Sequence, residues 1–220
     1  VTAAVVFDFD GVLADSERLH YAAFRDVLGD HGWTLSERDY FDRYLGFDDA
    51  ALVLEFAKDQ RLALAEPAQA AIVQEKVEVF QSRLTAAEML YPGAAAAVAR
   101  LGARYRLGIA SGSLAVEIRT VIDAAGLGAA FAAIIGADDV ARTKPAPDPY
   151  LAAVAALGVP PRSAVAIEDS RWGLESARLA GLKTIALTTS YPAADLGRAD
   201  LVLASLDDIT VDVVAGLLGQ

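Results

Sequence analysis

Short runs of β-branched and aromatic residues recur along the chain at Val5–Phe9, Leu107–Ala110, Ala133–Ile135, Ala164–Ile167 and Thr184–Leu187, with a weaker one at Leu201–Leu203. Continuous apolar runs of this length suit strands buried on both faces of a parallel sheet. Between them lie segments with apolar positions at helical spacing. Leu114–Ala125 stops near Gly126, Pro149–Leu157 at Gly158 and Ser170–Ala180 at Gly181, where glycine is the usual stop signal after a last helical turn. Strand and helix alternate, which predicts a doubly wound α/β domain.

One stretch breaks the alternation. From about Asp15 to about Met89 no convincing strand occurs, and Ser16–Leu28, Glu37–Leu45, Asp49–Lys58 and Pro67–Leu84 read as amphipathic helices. The expected organisation is therefore an α/β core of residues 1–15 and 89–220, with an all-helical insertion at 16–88. The chain re-enters the core around Tyr91-Pro92-Gly93.

Composition narrows the chemistry. Acidic residues outnumber basic ones 30 to 19, for a formal net charge of −11, which disfavours binding to nucleic-acid phosphates. The chain has no cysteine, which removes disulfides, thiolate metal clusters and thiol nucleophiles. His20 and His31 are its only histidines, too few for a multi-histidine zinc site. No targeting segment or membrane span is visible, so a soluble, cytoplasmic protein without a membrane partner is expected, with a monomer favoured.

Four places carry residues suited to chemistry. Asp8 and Asp10 follow the first apolar run; on a strand, positions i and i+2 share a face, so both carboxylates are expected at the strand's C-terminal end, where open α/β sheets bind ligands. Adjacent carboxylates repel and ask for a cation or a shared proton, and with only hard oxygen ligands at hand Mg²⁺ is the natural choice. Ser111-Gly112-Ser113 follows the second run, where a hydroxyl and backbone amides of a helix entry suit a phosphate or oxyanion. Lys144 sits before Pro145, which disfavours helical geometry and leaves one ammonium on a rigid loop. Glu168 and Asp169 end another run and are able to complete a metal site with Asp8. Taken singly, these also read as a turn with capping acids, an N-cap serine, a solvated lysine and helix N-terminal acids. Taken together, all four fall at strand ends on one edge of one sheet.

In that order the motifs resemble the haloacid dehalogenase superfamily of phosphohydrolases, in the branch with a helical cap inserted after the first motif. Asp8-Phe9-Asp10-Gly11 matches its first motif, Ser111 its second, Lys144 its third and Glu168-Asp169 its fourth. The longer phrases, including Lys144-Pro145-Ala146-Pro147-Asp148, Ser170, Gly173 and Gly181, are similar to the group containing β-phosphoglucomutase and phosphoglycolate phosphatase. The resemblance implies a Rossmann-like core with an all-helical cap. It further implies that Asp8 attacks phosphorus and Asp10 serves as general acid and then base. Mg²⁺ would be held by Asp8, the Asp10 carbonyl and Asp169, with Glu168 on a bound water or on the ion. Lys144 and Ser111, with amides near Gly11, Gly112 and Ser113, would bind the phosphoryl oxygens.

The same resemblance assigns substrate choice to the cap. His20 lies in its first helix, and Gly46 and Phe47 lie where the mutase has its specificity loop. The mutase has a lysine before that glycine and an arginine three residues after it; here those positions are Leu45 and Asp49, with Arg43 as a partial substitute. Loss of both cations favours a Mg²⁺-dependent phosphatase acting on a small phosphomonoester, such as a sugar phosphate. The alternatives are a hexose-phosphate mutase and, from other classes, a receiver-like module phosphorylated on Asp8 or a serine esterase using Ser111.

Overall fold

The computed structural model describes residues 2–15, 17–45, 47–83 and 89–220. The chain separates into two units, Val1–Asp15 with Thr85–Gln220, and Ser16–Leu84. In the first unit the strands are β1 (Ala4–Phe7), β2 (Arg106–Ala110), β3 (Phe131–Ile135), β4 (Ala164–Glu168), β5 (Lys183–Leu187) and β6 (Leu201–Leu203). They form one parallel sheet in the order β3-β2-β1-β4-β5-β6. This is the doubly wound, Rossmann-like α/β arrangement that the alternating pattern predicted.

β1 is central, with Phe7 opposite Ile109 of β2 on one side and Ile167 of β4 on the other. All of β1 and the Val165–Ile167 segment of β4 are fully buried. Each large apolar side chain there contributes about 1.5–3 kcal/mol relative to exposure. Burial on both faces is why these strands read as unbroken apolar runs. The chain builds β1, β2 and β3 in one direction and then returns to the far side of β1 for β4. The C-terminal ends of β1, β2 and β4 are thereby adjacent at the point where strand order reverses.

The helices of this unit are numbered after those of the other, so they begin at α5 (Ala94–Gly102), followed by α6 (Ala115–Ala124), α7 (Asp148–Leu157), α8 (Arg171–Ala180) and α9 (Val211–Leu218). α7 packs on β1, β2 and β3, and α8 on β4 and β5. Gly158 and Gly181 end α7 and α8 in left-handed conformation, at the positions the sequence marked as stops. The sequence pattern predicts no helix at Val211–Leu218. That segment is so uniformly apolar that it lacks the polar–apolar alternation needed to distinguish helix from strand.

The helical unit contains α1 (Glu17–Asp30), α2 (Glu37–Asp39), α3 (Asp49–Asp59) and α4 (Glu66–Arg83). Its interior is built from Phe24, Leu28, Leu52, Phe56 and Ile72, with Tyr40 and Tyr44. The helix expected over Glu37–Leu45 is only three residues of α-helix, capped by Ser36, and then widens into a π-helical segment over Tyr40–Tyr44. There Leu45 N–H reaches back to the Tyr40 carbonyl at 3.0 Å. The wider turn leaves both Tyr40 and Tyr44 buried. Among the described residues no helix is long and apolar enough to cross a membrane.

Candidate active site

β1 ends at Phe7, two residues before the end the apolar run predicts, so Asp8 and Asp10 do not share a strand face. The chain turns instead. The Phe9 carbonyl accepts from the backbone N–H groups of Val12, Leu13 and Ala14 at 3.3, 2.9 and 2.9 Å. Gly11 makes that turn with φ of 75°, and a Cβ there would lie 1.8 Å from Asp169 Oδ2. Only glycine gives both the left-handed backbone and the room for Asp169. The consequence is that Asp8 and Asp10 meet different partners.

Asp8 faces Lys144. Lys144 Nζ lies 2.9 Å from Asp8 Oδ1 and 2.6 Å from Glu168 Oε1, so one ammonium bridges the end of β1 and the end of β4. The lysine reaches this point from the Thr143–Pro147 loop that enters α7, through a cis Lys144–Pro145 peptide. Burial alone would lower the ammonium, yet Asp8 and Glu168 outweigh it and raise it, so Lys144 stays charged. Burial, followed by the adjacent Glu168 carboxylate, pushes the Asp8 carboxyl well above the usual range, and Lys144 only partly opposes this.

Glu168 is held on every side. Its Oε1 accepts from Lys144 at 2.6 Å and from the Tyr150 hydroxyl at 2.8 Å. Its Oε2 accepts from the N–H groups of Asp169 and Ser170 and from Ser170 Oγ, at 3.1, 3.2 and 3.1 Å. Burial would raise this carboxyl, but Lys144 and these hydrogen bonds hold it below its usual value. Gly173 makes the fit possible: a Cβ on it would lie 1.7 Å from Glu168 Oε1. Tyr150 is fully buried, and burial together with Glu168 keeps its hydroxyl protonated as a donor.

Carboxylate oxygens of Asp8, Glu168 and Asp169 lie within 4.8 Å of one another. All donors are oxygen, and the cluster carries more negative charge than Lys144 balances, so the residues fit a hard divalent cation of the Mg²⁺ type. The Asp10 carboxylate faces elsewhere. Its Oδ2 accepts from Ser111 Oγ at 3.2 Å and from Ser113 Oγ at 2.5 Å, both in the loop after β2. Gly112 lies between these two serines, and a Cβ on it would meet nothing within 4 Å.

The sequence-predicted core residues Asp8, Asp10, Gly11, Ser111, Gly112, Ser113, Lys144, Glu168 and Asp169 thus all stand at the C-terminal ends of β1, β2 and β4 or in the loop before α7. Gly173, which the sequence offered only as part of the family resemblance, joins them through its fit against Glu168, and Tyr150 joins them without having been singled out, because an aromatic inside an apolar helix carries no distinguishing signal.

In the helical unit, His20 is half-buried on α1 and stacks on Phe80 with ring centroids 4.2 Å apart. Its Nδ1 accepts from Lys76 Nζ at 2.7 Å, and Lys76 also donates to Asp49 Oδ2 at 2.6 Å. Burial first, and the Lys76 ammonium second, hold the His20 ring well below its ordinary value. The Lys76 side chain is fully buried. Arg43 is engaged with Asp59 at 2.5 Å and lies over the Tyr44 ring. Phe47 is 47% exposed. Gly46 lies outside the described residues.

Comparison with known proteins agrees with this geometry. Residues 5–187 match the haloacid dehalogenase-like hydrolase family. Protein CbbY of Rhodobacter capsulatus is 35% identical over 207 residues, covering 87% of this chain and 88% of that protein. The fructose-1-phosphate phosphatase YqaB of Escherichia coli is 31% identical over 191 residues, covering 83% and 95%. Among solved structures, CbbY from Rhodobacter sphaeroides in complex with phosphate superposes with a TM-score of 0.87 at 30% identity, covering 97% of this chain and 99% of that one. The chain belongs to the haloacid dehalogenase-like hydrolases. Within that family it is an enzyme of the phosphoric monoester hydrolase class.

Proposed function

We propose that this enzyme is a Mg²⁺-dependent phosphatase that hydrolyses a small phosphomonoester, a sugar phosphate or similar metabolite, through a phosphorylated Asp8. The observation that carries this reading is the Lys144 ammonium joining Asp8 to Glu168, beside Asp169. It sets a nucleophilic carboxylate next to a fixed positive charge and a cluster of oxygen ligands. Asp8 attacks phosphorus; Lys144 and the Ser111 hydroxyl, with backbone amides near Gly11 and Gly112, hold the phosphoryl oxygens. Asp10 protonates the leaving oxygen and then removes a proton from the water that releases phosphate. Asp8 and Asp169, with the Asp10 carbonyl and Glu168 directly or through water, would hold Mg²⁺, which when bound offsets the charge of an anion attacking an anion.

The helical unit is proposed as the cap that selects the substrate, with His20, Gly46 and Phe47 contributing. A sugar phosphate is favoured by the relatives: the R. sphaeroides CbbY has also been solved as a variant in complex with xylulose-1,5-bisphosphate, and others are named for fructose 1-phosphate and hexitol phosphates. The test is a phosphate-release screen of phosphorylated metabolites with Mg²⁺. Turnover confined to one group of sugar phosphates supports the reading; no release from any phosphomonoester rejects it.

A further inference from the structure

Asp10 is attached to the loop after β2 through two hydroxyls on one oxygen. Ser113 Oγ donates to Asp10 Oδ2 at 2.5 Å and Ser111 Oγ at 3.2 Å, so the shorter contact is that of Ser113. The Ser113 backbone N–H separately donates to Ser111 Oγ at 3.0 Å. Ser113 thus orients Ser111 with its main chain and grips Asp10 with its side chain. Each hydroxyl has one hydrogen to donate. Once Ser111 turns that hydrogen to a phosphoryl oxygen, it no longer donates to Asp10, and Ser113 keeps the contact.

We propose that Ser113, placed among the substrate-binding residues by the sequence, is instead a positioning residue for Asp10. The inference rests on the proposed acid–base role of Asp10 and deepens it. With Oδ2 accepting from the serine loop, the proposed acid–base work falls to Oδ1. In the first step an Asp8 carboxylate oxygen bonds phosphorus. The bond from phosphorus to the substrate oxygen breaks with its electron pair on that oxygen, which takes the Asp10 proton and leaves as the alcohol. In the second step water loses one proton to the Asp10 carboxylate and its oxygen bonds phosphorus. The bond between phosphorus and Asp8 then breaks, returning Asp8 as carboxylate, Asp10 as acid and free phosphate. A displaced Asp10 harms the first step most where the leaving oxygen is strongly basic, because such a group cannot depart as an anion.

Ser113→Ala separates the two roles of Ser113, since it removes the hydroxyl and keeps the N–H that orients Ser111. The experiment measures kcat/KM for a series of phosphomonoesters running from p-nitrophenyl phosphate to alkyl phosphates, with Mg²⁺, together with the inhibition constant of inorganic phosphate. The expected result for Ser113→Ala is a loss of about ten-fold with alkyl phosphates and about two-fold or less with p-nitrophenyl phosphate, as for partial loss of a general acid. Phosphate inhibition stays within about two-fold, and Ser113→Thr, which keeps a hydroxyl, restores most of the loss. An equal loss across the series with weaker phosphate inhibition would show that Ser113 holds the phosphoryl group, and no loss would show that it does nothing for Asp10; either result overturns the proposal. Asp10→Asn is the control. If it leaves the leaving-group dependence unchanged, the acid–base reading itself fails; if it steepens the dependence and Ser113→Ala does not, only the assignment of Ser113 fails.

Discussion

Lys144 Nζ stands 2.9 Å from Asp8 Oδ1, with both side chains almost wholly buried. The contact favours the ionised carboxylate that the proposed attack requires, against burial and Glu168, which together outweigh it and raise the Asp8 carboxyl above its usual range. Asp8→Asn preserves size and the ability to accept from Lys144 but removes the attacking charge. It is expected to lower phosphate release at least about 10³-fold, the scale for losing a nucleophile. It also relieves an excess of buried negative charge, so the metal-free variant should melt at or above the wild-type temperature. Near-wild-type turnover by a folded Asp8→Asn protein would reject the mechanism.

The oxygen-only cluster of Asp8, Glu168 and Asp169 sets the second expectation. Activity should vanish in excess EDTA and return with Mg²⁺. Mg²⁺ should also raise the melting temperature of the substrate-free protein, because a ligand bound only by the folded state stabilises it. In Asp169→Asn that thermal response should shrink. Full turnover in excess EDTA, with no thermal response to Mg²⁺, would remove the metal from the reading.

The reach of the sequence in this protein follows physical lines. β1, β2, β4 and β5 were legible because burial on both faces demands unbroken apolar runs. The motifs at their ends were legible because each carries a glycine, proline or acidic pair that breaks the run. What escaped needs three dimensions. Tyr150 differs from a core aromatic only by a hydroxyl, and that hydroxyl meets Glu168, 18 positions along the chain. The partners of Asp10 lie 101 and 103 positions away, brought near by the adjacency of β1 and β2. Lys76 carried no signal of its own, because periodicity records where a lysine sits on a helix and not the Asp49 and His20 that receive it.

His20 gives a pH dependence with a definite sign. Its folded value is depressed, by burial first and Lys76 second, below the ordinary 6.5 that it regains on unfolding. Above pH 6.5 the ring is neutral in both states and its contribution is fully present. As pH falls below that point the unfolded chain binds a proton that the folded chain refuses, and stability declines by up to about 1.4 kcal/mol per pH unit. The decline ends at the folded value. His20→Gln, which can still accept from Lys76, should lose less stability than wild type between about pH 7.5 and about pH 5.5 in urea denaturation. Equal losses in the two proteins would contradict a His20 held neutral in the folded state.

The pairing of Lys76 with Asp49 bears on hydrolysis against isomerisation. A mutase must hold the second phosphate of a bisphosphorylated intermediate and keep water from the aspartyl phosphate, which requires cations. The sequence suggested that such cations are missing at Leu45 and Asp49. The structure adds a buried ammonium, Lys76, but Asp49 neutralises it at 2.6 Å, and Arg43 is engaged by Asp59. The expected product from β-glucose 1-phosphate, or from any better sugar phosphate, is therefore inorganic phosphate, with no stimulation by glucose 1,6-bisphosphate. Asp49→Asn keeps the hydrogen bond to Lys76 and removes its counter-charge. If the helical unit selects the substrate, this substitution should favour sugars with two phosphates over those with one by about five-fold, corresponding to about 1 kcal/mol for a screened charge contact. Adding Lys76→Met should cancel the gain. The measurement follows glucose 6-phosphate and free phosphate in parallel from the monophosphate and bisphosphate together. Rapid glucose 6-phosphate formation with little free phosphate would make the enzyme a mutase, and an unchanged preference in Asp49→Asn would remove the pair from substrate selection.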